Sequence, residues 1–209
     1  MNINKHLILL FSVLFFLFAV SVSSGCFRKN ESDVKSVVRN ELDQLKNLDS
    51  ETTQKYIPYT ELFPDATENT DLTDEINKTF SLFFRKFNYK ISDVIVGTAN
   101  HSATVSVKLT TIDSKVLARD FKAELLRTQI TESAQAQKGN IKDSSRSLEA
   151  HYLILNHLLN TNDYDTAETD CNIQLVNTGN DKKEKWKIQR TNSLEDDLVG
   201  GLIADLADP

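Results

Sequence analysis

Apolar positions along the chain recur in two periods, and each period predicts its own kind of element. Val34, Val37, Val38, Leu42, Leu45 and Leu48 fall at helical spacing and predict a first helix, with Asn30 or Ser32 as its cap and Asp33 in its first turn. Ile76, Phe80, Phe83, Phe84 and Phe87 make a broader stripe over about residues 73–86, where Asp74 and Glu75 suit the positive end of a helix. Between these two, residues 51–70 (ETTQKYIPYTELFPDATENT) are punctuated by Pro58 and Pro64. Each proline restricts the residue before it, so short helical turns are expected there.

After residue 88 the period changes to two. Residues 89–96 (YKISDVIV) and 103–111 (ATVSVKLTT) predict strands, the second alternating Ala103, Val105, Val107 and Leu109 with Thr104, Ser106, Lys108 and Thr110. GTANHS between them predicts a hairpin turn. Helical spacing returns at 114–137, on Val116, Leu117, Phe121, Leu125 and Ile130, and at about 145–160, on Leu148, Tyr152, Leu155, Leu158 and Leu159. A strand over 166–177 follows, carrying Thr169, Cys171, Ile173 and Leu175 on one side, and then a short strand, WKIQ. Leu194, Leu198, Val199, Leu202, Ile203 and Leu206 predict a terminal helix with a capping-box-like start at Ser193 and Asp196. Gly200 and Gly201 inside it mark a bend or a close approach to another helix. The reading is an α+β domain over residues 31–209 with a helical insertion near 114–160.

The start of the chain belongs to neither pattern. Lys5 and His6 precede LILLFSVLFFLFAV (Leu7–Val20), an apolar run short for a hydrocarbon core of about 30 Å, and SVSSG leads to Cys26. This is the layout of an export signal over residues 1–25, followed by a short tether at 26–30. SSGC resembles the bacterial lipobox, which implies cleavage before Cys26 and a diacylglyceryl group on its sulfur. The residues by themselves also fit cleavage near Ser24 or an uncleaved N-terminal helix. The lipobox resemblance implies a cell membrane location, anchored by N-terminal acyl chains on the extracytoplasmic face.

Charge and chemistry narrow the function classes. Lys5 is the only one of 24 basic residues before Cys26, so 23 basic residues face 30 acidic ones in the remainder. That balance disfavours nucleic acid, which needs a concentrated basic face. Glu61, Asp65, Glu68, Asp71, Asp74 and Glu75 read as a solvated face, since their spacing does not make a calcium loop. His101 falls in the hairpin turn, and His151 and His157, six residues apart on one helix, point in different directions. No zinc signature, Walker loop or GxGxxG appears, and no catalytic residue, metal or cofactor is expected. With Cys26 acylated, Cys171 is a lone thiol in an alternating run and reads as a core residue.

The leader with SSGC, the opening helix, the hairpin VIVGTANHSATVSVKLTT and the ending CNIQLVNTGNDKKEKWKIQRTNSLEDDLVGGL resemble small bacterial lipoproteins of the nuclear-transport-factor-2-like fold class, which carry domains of unknown function. That resemblance implies a curved antiparallel sheet of about four strands, with amphipathic helices on its concave face around a cone-shaped cavity. Phe80, Phe83, Phe84, Phe87, Tyr89, Cys171 and Trp186 are the candidate lining residues of such a pocket. The functional expectation is a non-catalytic cell-surface lipoprotein that binds a small apolar ligand or an envelope protein. The alternatives are an envelope enzyme with its site in the cone, or a structural or immunity-like partner of a basic envelope protein.

Overall fold

The computed structural model describes residues 30–56, 62–63, 66, 72–97, 101–136, 147–179 and 184–207. The export signal, Cys26, most of the tether and most of the acidic stretch lie outside them. Helix α1 covers residues 30–46, and α2 (Ser50–Tyr56) follows after a tight corner. Helix α3 (Thr73–Phe83) runs into a 3-10 turn, Phe84–Lys86. A hairpin of β1 (Asn88–Val96) and β2 (Ser102–Ile112) leads to α4 (Ser114–Ala136) and α5 (Leu148–Thr161). The chain ends with β3 (Thr166–Asn177), β4 (Trp186–Ile188), α6 (Asn192–Leu198) and α7 (Leu202–Ala207).

The four strands form one antiparallel sheet in the order β1-β2-β3-β4. Its central pair keeps an unbroken register from Ser102 opposite Val176 to Ile112 opposite Thr166. The alternation read from the sequence therefore sorts the two faces. Ala103, Val105, Val107, Leu109, Cys171, Ile173 and Leu175 are buried beneath the helices. The other face carries a polar ladder instead: the Thr104 hydroxyl meets Gln174 at 2.9 Å, Ser106 meets Asn172 at 2.9 Å, and Lys108 meets Glu168 at 3.1 Å.

The sheet is open and uncurled, which corrects both the expected curvature and the resemblance to the nuclear-transport-factor-2-like class. Curvature in a sheet is introduced by bulges and glycine kinks. None of the four strands contains glycine, and the register shift between Ile91 and Asp93 lies in the edge strand, outside the central pair. Without the curl there is no cone. Phe80, Phe83, Phe84 and Phe87, at most 4% exposed, fill the space with side chains. Phe84 meets Phe83 and Phe87 edge-on, and Phe80 meets Tyr152 of α5 the same way. Tyr152 and Leu155 are fully enclosed, so α5 belongs to the core.

The C-terminal segment also departs from the single helix expected. Thr191, not Ser193, caps α6, its side chain accepting from the Leu194 N–H at 3.2 Å. Gly200 and Gly201 then take positive φ values of 66° and 89°, which only glycine adopts without strain. Asp196 restarts the helix by accepting from the N–H groups of Ile203 and Ala204 at 2.9 and 3.2 Å. A Cβ on Gly200 would sit 2.2 Å from Thr111 Oγ1, so the close approach is to the end of β2 and not to another helix. Gly200→Ala is expected to lower stability by roughly 2 kcal/mol or more, combining left-handed strain with overpacking. A urea titration would show this as a lower midpoint at unchanged slope.

Candidate functional site

The corner between α1 and α2 builds one wall of an open groove. Helix α1 ends where the Leu48 N–H donates to Leu45 O at 3.0 Å and the Asp49 N–H donates to Gln44 O at 3.0 Å. This pairing is a Schellman ending, whose left-handed position is ordinarily glycine. Here it is Leu48, at φ 63°. Asp49 then starts α2: its carboxylate accepts from the Thr52 N–H at 2.8 Å, and its carbonyl accepts from the Thr53 hydroxyl at 2.8 Å. Thr52, first through its side chain and then through its N–H, holds the Asp49 carboxyl below its ordinary range.

Helix α3 supplies the other wall. The Thr79 hydroxyl and the Asn156 side chain of α5 meet at 2.9 Å, and Asn156 Nδ2 donates to Glu75 O at 3.3 Å. This buried contact fixes the rotation of α3 and turns Asn77, Lys78 and Ser81 away from α5. The resulting groove measures about 400 Å³ and is lined by Leu48, Thr53, Asn77, Lys78, Phe80 and Ser81. Leu48 stands at its rim, 43% exposed. A second groove of about 420 Å³ lies at the start of α1, between Glu31, Ser32 and Lys35 and the β1 residues Ile91, Ser92, Asp93 and Val94.

The residues singled out from the sequence are not gathered around one space. Phe80 borders the first groove, whereas Phe83, Phe84 and Phe87 sit in the aromatic core. Tyr89 pins β1 to α1, its hydroxyl donating to Asp43 Oδ1 at 2.6 Å. Trp186 is buried on β4, and its indole N–H donates to Glu184 at 3.2 Å. Cys171 is 2% exposed under α6. Burial, followed by the nearby Asp197 carboxylate, pushes its thiol up to about 12. Asp197 itself is raised, chiefly by burial. His101 and His157 are exposed, and the His151 ring lies against Phe63 and Phe121. Cys26 lies outside the described residues.

Among the described residues no group of His, Cys, Asp and Glu is placed to hold a metal ion, and no helix is long and apolar enough to cross a membrane. Comparison with known proteins returned no match to a family model, a curated protein or a solved structure.

Leu48, Thr53, Asn77, Lys78 and Ser81 escape a reading by sequence period. Leu48 continues the apolar stripe of α1 and looks like one more core position. The signal that separates it is the Asp-Ser-Glu that follows, an N-terminal helix signature which requires the preceding helix to have ended.

Two outcomes are expected from the ionisable groups. Iodoacetamide at pH 8 should leave Cys171 unmodified in the native protein and alkylate it in urea, because the thiol is buried and holds its proton. Tyr89 is pushed up to about 12, first by burial and then by its bond to Asp43. Its folded pKa lies above the unfolded value near 10, so its contribution is complete below about pH 10. That contribution should fall away between about pH 10 and 12, and a pH series of urea midpoints should lose this component in Tyr89→Phe.

Proposed function

We propose that this chain is a lipid-anchored protein-interaction domain on the extracytoplasmic face of a bacterial membrane, and that it binds without catalysis. The leader from Lys5 to Gly25 and the cysteine at 26 support the location. From Cys26 to Asn30 the chain spans at most about 14 Å, which keeps the start of α1 close to the bilayer. Helix α1, residues 30–46, extends about 25 Å from that point and carries the first groove at its far end. The second groove sits at the near end, at Glu31, Ser32 and Lys35.

The observation that carries the binding role is Leu48. A leucine in the left-handed region costs roughly 1–2 kcal/mol relative to the right-handed one. Its side chain is nonetheless half in solvent, at the rim of a groove. The Schellman ending holds the residue in this conformation, and we take the exposed leucine placed there as offered to a contact outside the fold. Cys171, the thiol that an enzyme reading would enlist, is enclosed and protonated, which favours binding over chemistry.

The test has two parts. Cells fed an alkyne fatty acid should label the protein, and Cys26→Ala should abolish the label. Leu48→Gly should change stability by less than about 1 kcal/mol, because relief of the left-handed strain offsets the lost half-burial. Leu45→Ala, one turn earlier and buried, should cost about 2–5 kcal/mol. A loss at Leu48 as large as that at Leu45 would make Leu48 a core residue and remove the basis of the binding role.

A further inference from the structure

We infer that the outer edge of β3 takes up an extended segment of a partner protein as an added antiparallel strand, with basic residues at alternate positions. Backbone directions locate that edge. Asp165 O accepts from the Asp113 N–H and the Asn177 N–H donates to His101 O, both at 2.9 Å, so odd-numbered residues bond toward β2. Gln174 O accepts from the Gln189 N–H and the Thr178 N–H donates to Lys185 O, both at 2.8 Å, so even-numbered residues face the β4 side. Strand β4 pairs only with Leu175, Val176 and Asn177. Among the described residues, no strand pairs with the outer side of Glu168, Asp170 and Asn172. Their outward N–H and C=O groups form a row of donors and acceptors that another extended backbone completes.

The two edges of the sheet differ in this respect. Strand β1 carries the register shift at Ile91–Asp93 and is tied to α1 through Tyr89 and Lys46. Bulges and covering helices both blunt an edge. The free part of β3, from Thr166 to Asn172, has no register shift, proline or glycine. Its side chains select the occupant. Glu168 and Asp170 are exposed; Glu168 pairs with Lys108 of β2, and Asp170 has no ion-pair partner among the described residues. A second copy pairing antiparallel in the registers centred here sets Asp170 opposite Asp170 or Glu168, and like charges directly opposite are destabilising. A segment with lysine or arginine at those positions sets unlike charges opposite instead. Ala167 and Thr169, on the helix-covered face, are half-buried, so small apolar residues suit the positions between.

The test measures binding of seven-residue peptides to the full chain in nonionic detergent, at about 0.15 M salt. One peptide alternates lysine with valine and the other alternates glutamate with valine. The lysine peptide should bind at least tenfold more tightly, and the double variant Glu168→Lys, Asp170→Lys should reverse that order at an unchanged urea midpoint. Two modified peptides test the backbone on the unaltered protein. Methylating the lysine backbone nitrogens removes the N–H groups that face β3 and should abolish binding. Methylating the valine nitrogens, whose N–H groups face away, should leave it intact.

Equal binding of the two methylated peptides would reduce the contact to charge attraction and overturn the added strand. No binding by either parent peptide, or an order unmoved in the folded double variant, would overturn this edge as the site. A concentration-dependent dimer of the chain alone, dispersed by Asp170→Pro, would overturn the partner segment in favour of a second copy.

Discussion

The unbroken register between β2 and β3 is the constraint on which the rest of the domain depends. It places every second residue of both central strands on the buried face, from Ala103 to Leu109 and from Cys171 to Leu175. A slip of one residue would turn that set to solvent and bring Lys108, Glu168 and Asp170 inward, so the helices would lose the surface they cover. The polar ladder on the other face opposes the same slip, since the pairs Thr104–Gln174, Ser106–Asn172 and Lys108–Glu168 meet only in the native register. Because no bulge or glycine interrupts this pair, the sheet stays open and its buried face must be filled by side chains. The phenylalanines of α3 and Tyr152 of α5 do this.

That filling bears on the proposed binding role. A core built from edge-on aromatic contacts leaves Phe83, Phe84 and Phe87 without a free surface, so the proposed interaction is assigned to a helix corner instead. The corner at Leu48 is held from several sides. Lys55 pairs with Glu41 at 2.7 Å across α1 and α2, Lys46 reaches Asn88 at 2.9 Å, and Tyr89 holds Asp43. Exposed pairs such as Lys55–Glu41 add little stability by themselves. Together they fix the direction in which α1 ends, and hence where the strained leucine points.

Much of the fold is legible in the sequence because the two periods are physical. Residues 103–111 alternate without exception, and the stripe from Ile76 to Phe87 matches α3 and its 3-10 turn. Curvature is not legible in the same way, since hairpins and alternating strands occur in open and curled sheets alike. The distinguishing devices are few, and among the described residues the register shift at Ile91–Asp93 lies in an edge strand. The break at Gly200–Gly201 was visible as a pair of poor helix formers. Its cause, the contact with Thr111, joins residues 89 positions apart and has no local signal. The groove is the least legible part, because a left-handed leucine looks like any other member of a helical stripe.

The central claim is that binding takes place at the outer corner and not at the open face of the sheet. The most direct test is site-specific photo-cross-linking in intact cells, with a benzophenone side chain placed at Ser81 in the groove or at Ser106 on the polar ladder. The account predicts a discrete polypeptide adduct from Ser81, lost when Leu48→Gly is introduced, and none from Ser106. An adduct from Ser106 alone would contradict it and move the interaction to the uncovered sheet.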